Sequence, residues 1–410
     1  MGKLPVLNVV DPELIKLILV KDFHIFPNRS KVWKKCDDSI RNSDMFHMGY
    51  DGWRRVRPIV TTAFTTSKIR KTYATISACA QRCTEYLDIL TTNESDLDAW
   101  VVFEKLGLDV MATRQKSNFN AFREFSAIIL PQFVKRLLQT SADTKAIEYF
   151  VDFIRHIVSQ RRQHNHQKSH NDFTQLLMDA IQEDDINGNA ENTSDKSKRL
   201  SENEIIAQSL QFILAGYSSI QEVLAYTSYH LALNPGAQQR LYDEIIGAMD
   251  SYTENIPYDR LARLPYLDAV LSETLRQHLP ALPLARIAST DYKLGETGVT
   301  IKAGQQVEIP AYVIHHSPQF YPDPFKYDPD RFMPQNKSKL VPYTYLPFGA
   351  GPRNCVATRF ALLIDKVCIA HVVRRFRFYR CPQTDVPIHY KRFIHVMSPK
   401  RVIVGIEARL

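Results

Sequence analysis

Pro347-Phe348-Gly349-Ala350-Gly351-Pro352-Arg353-Asn354-Cys355 stands directly before an apolar stretch, Val356 to Phe376, that reads as a helix. A single cysteine thus follows a turn built on Gly349, Gly351 and Pro352 and lies at a helix N-terminus. Backbone N–H groups and the helix dipole there favour an anion and lower a thiol pKa. A thiolate held in this way serves as a nucleophile or as a metal ligand. The alternative is a buried, inert thiol that packs as a small hydrophobe.

Upstream lies the longest helical signal in the chain. Ser201 and Glu204 form the capping-box pattern S-x-x-E, and an apolar pattern then runs without proline to Ala232, where Asn234-Pro235-Gly236 stops it. Roughly thirty residues span about 45 Å as a helix. Apolar on several sides, such a helix belongs in the middle of the protein. Pro235 to Met249 and Pro265 to Leu279 read as two more helices, and Asp291 to His315 as β-rich, with turns at Gly295 and Gly304. Val6 to Val10 reads as a strand and Asp11 to Val20 as a helix capped by Asp11. Trp53 to Leu90 reads as mostly helical, and Phe122 to Arg162 as helical segments broken at Pro131. The fold class is therefore mainly α with a small β-rich region. Glu183 to Lys198, polar and charged, is the expected flexible linker, within what reads as a single domain over residues 1–410.

Composition supports a helical globular protein. Hydrophobic residues make up 44% and charged residues 23%, which excludes a disordered chain. Gly is only 14 of 410 residues, half the usual share of about 7%. Lys+Arg total 52 against 44 Asp+Glu, a net charge of +8. That excess suits an acidic protein partner or an anionic membrane surface and is too diffuse for nucleic acid. Six cysteines without paired spacing point to reduced thiols. No apolar run approaches the ~18 residues of a membrane span, and no signal peptide is visible, so either the protein is soluble or an N-terminal anchor is missing from the chain. Phosphate-loop, H-E-x-x-H, C-x-x-C and G-x-S-x-G motifs are all absent. His164, His166 and His170 read as a solvated loop, and Cys79 and Cys83 as one helix face.

Phe348-x-x-Gly351-x-Arg353-x-Cys355 resembles the haem-binding loop of the cytochrome P450 family. Each fixed position matches by chance about one time in twenty, so four together, with Gly349 and Pro352, are improbable. The resemblance continues in Glu273-Thr274-Leu275-Arg276, in Arg331 of "DPDRF" (with Asp330 where the family has Glu), and in Trp53-x-x-x-Arg57. It covers essentially the whole chain and is closest to the family-three drug- and steroid-oxidising branch and to thromboxane synthase.

The resemblance implies the cytochrome P450 fold, with haem b (iron protoporphyrin IX) between the long helix (Glu202–Ala232) and the Cys355 loop. Cys355 is then the axial ligand of the iron, shielded by Phe348 and approached closely by backbone at Gly349. Arg353, Trp53, Arg57, Arg29 and Arg286 bind the haem propionates, and Ala215 contacts the haem. Glu273, Arg276 and Arg331 form a buried charge network beneath it. Gly216 opens the long helix to dioxygen, and Ser218 and Ser219 stand where the family has an acid–alcohol pair that relays protons. The acid is missing at Ser218, while Ser219 keeps a hydroxyl. Phe212, Leu214, Ala281 and Leu284 are expected near the haem, and Arg54, Arg55, Lys68, Arg70 and Lys71 are expected to dock an acidic partner.

The implied activity is a haem-thiolate monooxygenase that inserts one oxygen atom from O₂ into a lipophilic steroid, xenobiotic or lipid. Electrons would come from NADPH through NADPH-cytochrome P450 reductase, with cytochrome b5 as a second donor, on the cytosolic face of the endoplasmic reticulum membrane. One alternative is a haem-thiolate isomerase or dehydratase acting on a lipid peroxide. The other is a truncated, catalytically inactive haem-binding chain.

Overall fold

The computed structural model describes residues 5–29, 40–93, 96–113, 144–163, 173–175, 177–178, 200–250, 256–280, 283–391 and 398–409. The expected linker 183–198, the break at Pro131, His164, His166, His170 and Ala281 lie outside the described residues. The chain falls into two compact units, one of Met1–Ser30, Ile76–Phe103 and Ser219–Leu410, the other of Lys31–Thr75 and Glu104–Ser218.

The first unit carries the small sheets. Val6–Asn8 pairs in parallel with Gln306–Ile309, in register Val6 to Gln306, and the same strand pairs antiparallel with Leu284–Ile287. A second sheet places Ile403–Ala408 between Asp96–Asp98 and Phe376–Tyr379, and Tyr292–Lys293 pairs with Thr300–Ile301. The β-rich stretch therefore ends at Ile309 rather than His315, because Pro310 has no N–H to continue the ladder and caps a short helix, Ala311–His315. Ile15, Ile18, Leu19, Phe26, Val307 and Ile309 share one apolar cluster.

Asp11 caps the first helix as expected, accepting from the N–H groups of Glu13 and Leu14 at 2.9 and 3.0 Å. Helix Pro12–Lys16 then widens into a π-turn over Leu17–Lys21. Helices Pro235–Gly247, Pro265–Gln277 and Thr358–Arg375 lie close to the bounds read from the sequence.

In the second unit, Tyr50–Thr62, Thr66–Lys71 and Thr144–Gln163 are helices, and Phe64, Phe173 and Phe212 stack with ring centroids 4.2–5.6 Å apart. The long helix runs from Glu202 to Leu233, 32 residues, and the boundary between units falls within it, after Ser218. Its capping box forms reciprocally, Ser201 N–H to Glu204 Oε2 at 2.8 Å and Glu204 N–H to Ser201 Oγ at 3.2 Å. Asn234 closes its far end by donating to the His230 carbonyl. Among the described residues, no helix is long and apolar enough to cross a membrane.

Candidate functional site

The loop before Cys355 is a tight turn that leaves the cysteine exposed. Gly349 and Gly351 hold φ of +69° and +71°, the left-handed region that glycine tolerates. The Cys355 N–H donates back to the Phe348 carbonyl at 2.9 Å and the Asn354 N–H to the Gly351 carbonyl at 3.0 Å, which closes the turn. Cys355 itself is exposed and Phe348 half-buried. Thr358 Oγ1 donates to the Cys355 carbonyl at 2.9 Å, where helix Thr358–Arg375 begins. The Leu284 side chain lies 3.6 Å from where a Cβ on Gly349 would be.

Gly351 is tied to a close approach as well as to its dihedral. A Cβ there would lie 1.8 Å from the Leu19 carbonyl oxygen, in the π-turn. Gly298, at φ +75°, has nothing within 4 Å. Gly298→Ala should therefore cost only the strained dihedral, roughly 1–3 kcal/mol. Gly351→Ala should cost clearly more, because backbone must also move. Denaturant unfolding of the two variants checks this, and equal losses would show that the Leu19 contact carries no energy.

Three of the expected arginines come together beside this loop. Arg29 Nη2 donates to the Arg353 carbonyl at 2.7 Å, across 324 residues of sequence. Arg286, 3% exposed, lies near enough to both that their charges help to pull its pKa down to about 9, after burial, which is the larger cause. Arg286 Nη1 donates to the Ala285 carbonyl, and its Nε–H meets no acceptor among the described residues. A buried guanidinium repelled by two others and holding an unsatisfied N–H is a site for an anion.

The charge network beneath the loop forms. Glu273 and Arg276 are both 0% exposed and meet through two bonds of 2.7 Å, and Arg331 Nε lies 3.6 Å from Glu273 Oε1. Arg276 also donates to the carbonyls of His315 and Pro324, both at 2.7 Å. His315, missed in the sequence, continues the chain of bonds. Its Nδ1–H donates to the Arg276 carbonyl at 3.0 Å and its Nε2 accepts from the Leu346 N–H at 2.8 Å, at the entry to the cysteine loop. That arrangement needs a neutral ring, and burial holds its pKa down at about 3. No local spacing marks His315, because both partners are distant in sequence.

In the second unit, Trp53 is buried against a stacked Tyr50 and shares helix Tyr50–Thr62 with the half-buried Arg57, one turn on. Arg54, Arg70 and Lys71 are exposed and Lys68 half-buried, whereas Arg55 is committed to an ion pair with Glu204 and is no part of a free basic face. Ala215 is exposed, and Phe212 and Leu214 are partly so. Gly216 makes room for Met111, whose Cε would lie 2.5 Å from an added Cβ. Ser218 Oγ donates to the Leu214 carbonyl one turn back at 3.4 Å, and the helix passes through Ser219, in the first unit, without a break.

The Cytochrome P450 family model matches residues 1–406. Among curated relatives, "Cytochrome P450 3A11" of Mus musculus is 32% identical, covering 100% of this chain and 84% of its own length. "Cytochrome P450 9e2" of Blattella germanica is 30% identical over 94% of this chain and 80% of its own. "Cytochrome P450 9b2" of Drosophila melanogaster is 30% identical over 93% and 79%. The chain belongs to the cytochrome P450 family of haem-thiolate monooxygenases. The residues present fit that cofactor, since an exposed cysteine and a buried arginine N–H with no acceptor among the described residues lie on one loop and its neighbouring strand.

Proposed function

We propose that Cys355 ligates the haem iron and that Arg29, Arg286 and Arg353 hold its propionates, with Trp53 and Arg57 as further partners. The observation that carries this reading is the buried Arg286, whose Nε–H lacks an acceptor while Arg29 and Arg353 crowd it with like charge. A carboxylate placed among the three satisfies the donor and relieves the repulsion. Phe348 shields the sulfur, and the positive φ of Gly349 and Gly351 winds the turn that sets Cys355 in place. The haem supplies the oxygen-activating chemistry, and the thiolate favours O–O cleavage. The protein's own part is to fix the sulfur, exclude water and deliver protons.

The substrate class is a lipophilic small molecule: steroid, xenobiotic or lipid. The apolar side chain of Leu284, beside Gly349, supports an apolar reactant. Two electrons come from NADPH through a flavoprotein reductase docked by the exposed Arg54, Arg70 and Lys71, with cytochrome b5 as a second donor. The positive net charge suits work at an anionic membrane surface, as on the cytosolic face of the endoplasmic reticulum.

One observation favours a second reading. Ser218 is not an acid and turns its hydroxyl to the Leu214 carbonyl, as an isomerase or dehydratase that receives a ready-made peroxide would tolerate. Paired assays separate the two, with NADPH, reductase and a lipophilic probe in one vessel and a lipid endoperoxide alone in the other. General acid help is typically worth ~10²–10⁴ in rate. A monooxygenase with no other acid to take the place of the one missing at Ser218 should turn over slowly and leak peroxide, and Ser218→Glu should then raise product per NADPH. Turnover of the endoperoxide only, even for Ser218→Glu, would establish the isomerase, and no turnover in either vessel would mark an inactive haem-binding chain.

A further inference from the structure

Monooxygenation consumes protons as well as electrons, so a chain without an acid at Ser218 must hold one elsewhere. Glu222 is 4% exposed and, among the described residues, has neither ion pair nor hydrogen bond. It stands three residues after Ser219 on the uninterrupted long helix. That spacing puts the two side chains on one face, with Cβ atoms about 5–6 Å apart, within reach directly or through one water. Four residues further on, Tyr226 stacks on the His278 ring at 3.9 Å and 9°. His278 meets His230 at 2.8 Å through one ring nitrogen and the part-buried Tyr390 hydroxyl at 3.0 Å through the other.

We propose that Glu222 stores the proton that Ser219 passes toward the oxygen substrate, in place of the acid absent at position 218. The inference rests on the monooxygenase reading. In the step, Ser219 Oγ–H gives up its proton on the substrate side and takes the Glu222 carboxyl proton, which leaves a carboxylate that a water-borne proton restores. No electron moves in this exchange. Glu222 acts through Ser219 and is a positioning residue rather than a catalytic one. Its surroundings suit storage, since burial alone raises its pKa well above the ordinary carboxyl value. The titratable groups on that side are Tyr226, whose pKa it helps to raise, then Tyr390 and Tyr312 beside Tyr226, and His278. His278 in turn faces His230, His316 and Arg276. Burial holds His278 and His230 neutral, with their pKa values pushed down, so none of the histidines supplies a counter-charge that would ionise Glu222.

The test uses the haem-loaded protein with reductase and a coumarin ether as the lipophilic probe. At neutral pH the wild type should show a protonated-carboxyl infrared band that Glu222→Gln lacks. Product per NADPH should fall about tenfold or more in Glu222→Gln, with peroxide replacing it, and Glu222→Asp should recover part of the loss. Ser219→Ala should uncouple similarly, and the double variant should be no worse than either single one, as for residues acting as a unit. The Glu222→Asp variant and the wild-type band keep the test decisive if Glu222→Gln folds poorly. An ionised Glu222 at neutral pH, or equal coupling in wild type and Glu222→Gln, overturns the relay alone. A wild type that makes no product from NADPH overturns the monooxygenase reading, and the relay with it.

Discussion

Cys355→Ser should abolish the red-shifted Soret band that the reduced, haem-loaded protein gives with carbon monoxide, while Cys368→Ser should leave it in place. The two cysteines differ in what the fold does to the sulfur. Cys355 is exposed at the end of the turn, just before helix Thr358–Arg375, whose N-terminus favours negative charge. Cys368 is fully buried in helix Thr358–Arg375, and burial drives its pKa well above the ordinary thiol value. Only a thiolate ligates iron in the manner the band reports. Monooxygenase turnover should vanish with the band, because a neutral serine hydroxyl gives the metal no comparable electron density. A Cys355→Ser protein that retained the band would place the ligand elsewhere in the chain.

Glu273→Ala should be among the most destabilising single substitutions available in this fold. It removes the partner of two 2.7 Å bonds to a guanidinium with 0% exposure. A buried pair broken from one side costs about 3–5 kcal/mol, because the remaining charge stays desolvated. The damage reaches the cysteine loop, since Arg276 also supports His315, which in turn holds the Leu346 N–H. Haem retention should therefore fall along with stability. The exposed pair Arg240–Asp330 provides the comparison, with side chains 45% and 51% exposed. Asp330→Ala should cost under ~1 kcal/mol. Denaturant unfolding measures both, and a Glu273→Ala loss no larger than that of Asp330→Ala would mean that the guanidinium finds other partners.

What the sequence disclosed follows the range of the interactions. The Ser201 cap, the Asn234-Pro235 stop and the loop before Cys355 are written in consecutive residues, so they were readable directly. Glu273 and Arg276 are one turn apart, and their pairing was readable too, although only a resemblance suggested that they are buried. Arg29, Arg286 and Arg353 could not be joined from spacing, because 324 residues separate the first from the last and an isolated arginine has the look of a surface residue. His315 escaped notice for the same reason. The ion pair of Arg55 is equally invisible in the helix alone, because Glu204 stands 149 residues away. The π-turn at Leu17–Lys21 has no sequence signature either, and its carbonyl against Gly351 emerges only from packing.

That packing also sets a timetable. Val6–Asn8 pairs with residues 306–308, and Leu19 meets Gly351. At about 5–20 residues per second of synthesis, the partner strand leaves the ribosome roughly 15–60 s after the first one. Throughout that interval the apolar side chains of the early segment, Ile15, Ile18 and Leu19 among them, lack their later partners such as Val307, Ile309 and Leu346. The nascent chain is consequently open to chaperones and proteases along that segment, and the turn before Cys355 can set against Leu19 only after its own synthesis, roughly 330 residues later.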